Sequence, residues 1–125
     1  MIINFPVYGE PVAKGRPRFT RKGFAYTPAK TRAAELDFKT QALEYRPPKP
    51  LEGALKVTIE IIKMKPKSKP KKITQWTTKP DLDNFIKTLD ALNGIFWKDD
   101  SQIVEIHASK KYGDSAKIDV TIEEV

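Results

Sequence analysis

A chain of 125 residues, 39% hydrophobic and 31% charged, can bury the core of one domain and is short for two. It has no Cys and a single His, His107, which excludes a disulfide framework, a thiolate zinc site and a cysteine nucleophile, and leaves a His-based triad poorly founded. The net charge of +7 is segregated: residues 1–80 carry 18 basic and 6 acidic side chains, residues 81–125 carry 5 and 10. A basic chain with a local acidic cluster suggests a polyanion binder that also holds a cation.

The opening Met1-Ile-Ile-Asn-Phe-Pro lacks the basic and apolar regions of a signal peptide. No apolar run approaches the roughly 20 residues of a membrane helix. The expectation is a soluble, cytoplasmic protein with no membrane partner. Ile2 to Val7 reads as a first strand, ended by Tyr8-Gly-Glu-Pro11. Lys14 to Gly23 is a basic loop with two glycines and a proline, predicted to form a ragged hairpin with Phe24-Ala-Tyr26. Thr27-Pro28 looks like an N-cap with Pro at the first helical position. Ala34, Phe38, Ala42 and Tyr45 then recur at helical spacing, which predicts an amphipathic helix from Ala29 to Tyr45, stopped by Arg46-Pro-Pro48.

Leu55 to Ile61 alternates apolar and polar residues and is the clearest strand in the chain. Lys63 to Lys79 carries seven lysines and little periodicity, and reads as an exposed mobile loop. A second helix is predicted over Leu82 to Asn93, with Leu82, Phe85, Ile86, Leu89 and Leu92 on one face and Asn93-Gly94 as its stop. After Ile95-Phe-Trp97 and Lys98-Asp-Asp-Ser101, a strand runs from Ile103 to about Lys110. Tyr112-Gly-Asp114 turns it into a closing strand, Lys117 to Glu123, as a hairpin. The expected fold is α/β of the α+β kind. It is a single domain over residues 1–125, with a mixed sheet of about four strands and two helices packed on one face.

Asp81-Leu-Asp83-Asn opens the second helix, and Asp99-Asp100 lies beyond its far end. Helix capping accounts for one carboxylate at such a start, and a solvated turn accounts for the adjacent pair. A second reading joins them. Hard divalent cations take oxygen ligands, and such an ion activates water and polarises a phosphoryl oxygen. Lys87, four residues after Asp83, either forms an ordinary ion pair with it or places an ammonium beside a scissile phosphate.

Asp81-Leu-Asp-Asn-Phe-Ile-Lys-Thr-Leu-Asp-Ala-Leu92, followed by Phe96-Trp-Lys-Asp-Asp-Ser-Gln-Ile-Val104, resembles the signature of RusA-type Holliday junction resolvases. Pro11-Val-Ala-Lys-Gly-Arg-Pro-Arg18 and Tyr26-Thr-Pro28 look like N-terminal elements of phage-borne relatives. The resemblance implies a Mg²⁺-dependent endodeoxyribonuclease, with Mn²⁺ as a substitute, that acts as a homodimer on four-way junction DNA in recombination and repair. A bacterial or phage-encoded source goes with it. Carried over by motif, Asp81, Asp83 and Asp100 hold the metal and Lys87 is the essential lysine; Asp100 is chosen over Asp99 by the motif alone.

Lys14, Arg16 and Arg18 are the expected phosphate grip, since arginine binds phosphate in a bidentate manner. Lys71 and Lys72, with the lysines at 63, 65, 67 and 69, would follow a DNA arm or keep an edge strand soluble. Trp76 either stacks on an unpaired base or packs its loop onto the body. Ile95, Phe96 and Trp97 are read as core before dimer contacts, and His107 as a surface residue. Three rivals share these features: a flap or branched-DNA endonuclease, a non-catalytic basic DNA-binding module, and a fold that binds metal only for structure.

Overall fold

A computed structural model describes residues 1–13, 18–23, 25–26 and 29–125. In chain order the elements are β1 (Ile2–Tyr8), β2 (Arg18–Phe19), β3 (Ala25–Tyr26), α1 (Ala29–Ala42), β4 (Leu55–Met64), α2 (Leu82–Ile86), β5 (Ile103–Gly113) and β6 (Lys117–Glu124). The predicted N-cap at Thr27-Pro28 lies outside the described residues. Four strands form a mixed sheet in the order β1-β6-β4-β5, with β4 and β5 parallel and the other neighbours antiparallel. The short β2 and β3 make the expected hairpin. Its turn closes with the Gly23 N–H donating to the Thr20 carbonyl at 2.9 Å, and Gly23 has a φ of +86° that a side chain would strain.

Alternation decides which face the helices cover. Phe5 and Val7, then Leu55, Val57, Ile59 and Ile61, then Ile118, Val120 and Ile122 turn to the same side and are buried. Phe38 and Ala42 of α1, Phe85 of α2, and Leu89 and Leu92 just beyond it complete one core. Each large side chain buried there contributes about 2 kcal/mol. The opposite face is polar. Lys56 meets Glu105 at 3.7 Å and Glu123 at 3.9 Å, Lys111 meets Glu60 at 3.1 Å, and the Asn4 amide donates to Thr121 Oγ1 at 2.8 Å. His107 lies exposed near Glu105 on β5, as expected. Phe96 and Trp97 are core, and Leu51 is tied to them by its N–H donating to the Phe96 carbonyl at 2.8 Å.

Four expectations need correction. The second helix is α-helical only over Leu82–Ile86 and continues as a 3₁₀ stretch over Lys87–Leu92. The Thr88 hydroxyl donates to the Phe85 carbonyl at 2.6 Å, and 3₁₀ spacing eclipses Leu89 with Leu92, so both stay in the core. The first helix ends at Ala42 and passes into a 3₁₀ turn over Leu43–Tyr45, where Tyr45 stacks on Phe5 at 5.4 Å. The closing hairpin does not form: β4 lies between β5 and β6, and residues 114–116 carry the chain across its end. The fully apolar inner face of β4 suits a central place. The edge falls to β5, whose Val104 and Ile106 are 64% and 41% exposed. Finally, the lysine-rich segment is anchored, because Trp76 is only 3% exposed. It packs edge-on to Phe85 at 5.5 Å and stacks on Tyr112 at 6.1 Å, which excludes it from base stacking.

Candidate active site

The sequence Asp81-Leu-Asp-Asn-Phe85 sorts its side chains by helical phase: Leu82 and Phe85 turn inward, Asp81 and Asp83 outward. Asp81 sits at the helix start with extended backbone and makes no capping hydrogen bond. It pairs with the Lys79 ammonium at 3.4 Å, and its side chain is 58% exposed. The Asp83 side chain is exposed, and its carboxylate makes no hydrogen bond or ion pair among the described residues. Capping therefore does not account for either carboxylate. Lys87 does not pair with Asp83; its Nζ donates to Asn84 Oδ1 at 3.4 Å and stays exposed.

The second acidic group is built differently. Asp99 N–H donates to Gln102 Oε1 at 2.8 Å, and its carboxylate accepts from Ser101 Oγ at 2.6 Å and from the Gln102 N–H, a capping box around the 3₁₀ turn Asp100–Gln102. Asp100 is half-buried, with Oδ1 accepting from the buried Trp97 indole N–H at 2.8 Å. Its other oxygen has no hydrogen bond among the described residues. Beside this turn, the Lys98 ammonium holds the exposed Glu52 carboxyl below the usual carboxylate range, first through a hydrogen bond and then through its charge.

Among the described residues no three acidic or imidazole side chains lie close enough together to hold a metal. Asp81 and Asp83 are brought together at the start of α2, and Asp100 stands apart at the foot of β5. The donor set nevertheless suits a hard cation. It is oxygen-only and free of caps at α2, and Mg²⁺ is commonly held by one or two carboxylates plus substrate phosphate.

Of the expected phosphate contacts, Lys71 and Lys72 are exposed in the segment between β4 and α2. Lys14 and Arg16 lie outside the described residues, and Arg18 is described only as the first residue of β2. An apolar cleft lined by Val7, Ala13, Phe38, Thr88 and Ile118 contains none of the candidate aspartates. A second hollow has Lys87 on its rim, with Glu35, Asp90 and Ala91. Sequence reading missed Lys110 and Gln102. Lys110 Nζ donates to the carbonyls of Thr78 at 2.7 Å and Pro80 at 2.9 Å, directly before Asp81. The Gln102 amide donates to the carbonyls of Leu51 at 2.8 Å and Gly53 at 3.0 Å. A signal for Lys110 existed: it falls in the inward phase of β5, between Ala108 and Tyr112.

Residues 8–123 match the family described as Endodeoxyribonuclease RusA, a span that takes in β4, β5, β6 up to Glu123 and both acidic groups, and only Tyr8 of β1. The chain belongs to the RusA endodeoxyribonuclease family. A relative in Bacillus subtilis (strain 168), the uncharacterized protein YqaN, is 39% identical over 137 residues, covering 98% of this chain and 96% of its own length. Family membership covers the acidic and the basic parts of the chain together. No helix among the described residues is long and apolar enough to cross a membrane.

Proposed function

We propose that this RusA-family chain is a Mg²⁺-dependent, structure-selective endodeoxyribonuclease that resolves four-way junctions by paired nicks, acting as a cytoplasmic homodimer in recombination and repair. The observation that carries the reading is the pair Asp81 and Asp83. Both are exposed at the start of α2 and unused as caps, and Asp83 stands one helical turn before Lys87, which has no ion pair among the described residues. Asp81 and Asp83 would hold the cation, whose chemistry is to activate water and polarise phosphate, and the family motif adds Asp100 as a third carboxylate although it stands apart in this structure. Mn²⁺, with similar oxygen preference, would substitute.

The reaction is hydrolysis of a phosphodiester. A water oxygen bonds to phosphorus, one P–O ester bond breaks, and the departing oxygen takes up a proton. Lys87 faces the charge that develops on the phosphoryl oxygens. Lys71 and Lys72, with Lys14, Arg16 and Arg18, hold backbone phosphates and give affinity without sequence reading. A junction has approximate two-fold symmetry, so two identical sites related by a two-fold axis would cut opposing strands in matched positions.

The test is cleavage of an end-labelled synthetic four-way junction in Mg²⁺, with flap and linear duplex in parallel, by the wild type and by Asp83→Asn. The expected outcome is symmetric nicking of the junction by the wild type. The variant should bind with similar affinity and cut at least about 100-fold more slowly. Tight binding by both without cutting overturns the catalytic reading, and preferential cutting of flaps overturns the substrate.

A further inference from the structure

The stretch from Lys72 to Asp81 joins the lysine-rich run to the first site aspartate, and one strand residue pins it. Lys110 comes from β5, far away in sequence, and its ammonium donates to two backbone carbonyls, Thr78 at 2.7 Å and Pro80 at 2.9 Å. The same ammonium lies 5.0 Å from the centroid of the Trp76 ring, and the Lys63 ammonium lies 5.4 Å from it. The indole is buried, and its N–H finds no partner among the described residues, so its contribution is the π face and its bulk. Trp76 is itself wedged against Phe85 of α2 and Tyr112 of β5. One lysine thus ties the last residues before Asp81 to the sheet at both the backbone and the ring beneath.

We infer that Lys110 is a positioning residue for the α2 carboxylates: it fixes the backbone of 78–80 so that Asp81 and Asp83 are presented in one arrangement. This deepens the proposed function and rests on that reading. The physical basis is that α2 is only five residues long and Asp81 makes no capping bond, so the helix supplies little of its own constraint at its start. A half-buried ammonium with two carbonyl acceptors and an aromatic face supplies it instead. The lysine is occupied by the protein, so it is not a phosphate contact.

The test compares the wild type with Lys110→Met, which keeps the packing stem, and Lys110→Arg, which keeps donors. In the DNA-free, metal-free protein, amide exchange across 78–84 should accelerate by at least about 10-fold in Lys110→Met, with β4 and β6 unchanged. In Mg²⁺, junction cutting should fall by about 10- to 100-fold and the Mg²⁺ needed for half-maximal rate should rise. Junction affinity and its salt slope should hold, and Lys110→Arg should recover most of the activity. Unchanged exchange at 78–84 overturns the inference. So does a salt slope lower by about one, which identifies a phosphate contact. Should Lys110→Met fail to fold, Lys110→Gln is measured against the same outcomes. A wild type that does not cut overturns the function reading instead, and the exchange result still decides the role of Lys110.

Discussion

The carboxylates of Asp99 and Asp100 are adjacent and differently held: one by Ser101 Oγ at 2.6 Å and the Gln102 N–H, the other by the indole of Trp97 at 2.8 Å. They should separate cleanly by mutation. Asp99→Ala is expected to lower stability by about 1 kcal/mol through loss of the cap, and to leave junction cutting close to wild type. Asp100→Asn keeps an acceptor for Trp97, so urea unfolding should change little while cutting falls by on the order of 100-fold. Unfolding curves beside a cleavage assay check both. In sequence the pair reads as two equivalent acids in a turn, because only the folded indole and the Gln102 side chain tell them apart. Asp81 and Asp83 were legible from the start, since one cap does not need two flanking carboxylates. The inward phase of Lys110 was legible too, but its partners were not, because they are carbonyls 30 and 32 residues earlier.

At the level of elements, Lys110 and Gln102 are the two joints that hold the aspartate-bearing segments in place. Gln102 bridges the Asp99 turn to the carbonyls of Leu51 and Gly53. Gln102→Ala leaves those groups without side-chain partners and is expected to cost about 1–3 kcal/mol, read as a lower urea midpoint with an unchanged slope. Gly113 ends β5 where a Cβ would meet Ile62 Cγ2 at 2.6 Å, a branch methyl that has little freedom to move. Gly113→Ala should therefore cost about 1–3 kcal/mol, measured the same way. The strands were legible because a two-residue period is written locally in Leu55 to Ile61 and Lys117 to Glu123. Their order was not. A turn after β5 looks like a hairpin until the apolar inner face of β4 claims the place between, and that choice depends on distant pairings such as Val57 with Ile122.

For the whole molecule, the segregated charge sets how DNA is met. Lys71 and Lys72 lie on the exposed part of the segment that Trp76 anchors, so they can reach phosphate from a fixed base. Lys71→Ala with Lys72→Ala should weaken binding to junctions and duplex alike. The salt slope should fall by about 0.9 for each phosphate left without its lysine, as read from binding titrations at several salt concentrations. The polar open face of the sheet balances acids against lysines and gives no comparable field.

The placement of β6 also governs when the molecule comes into being. It pairs with β1 on one side and β4 on the other, so the sheet has no interior until residues 117–124 have been made. β1 and β4 wait with open edges, and the pairings that close them span about half of the chain for β4 and most of it for β1, an arrangement that folds slowly. A nascent or truncated chain lacking that strand would hold the carboxylates and lysines over a sheet without its central join. The proposed cutting competence would then arrive only with the last strand.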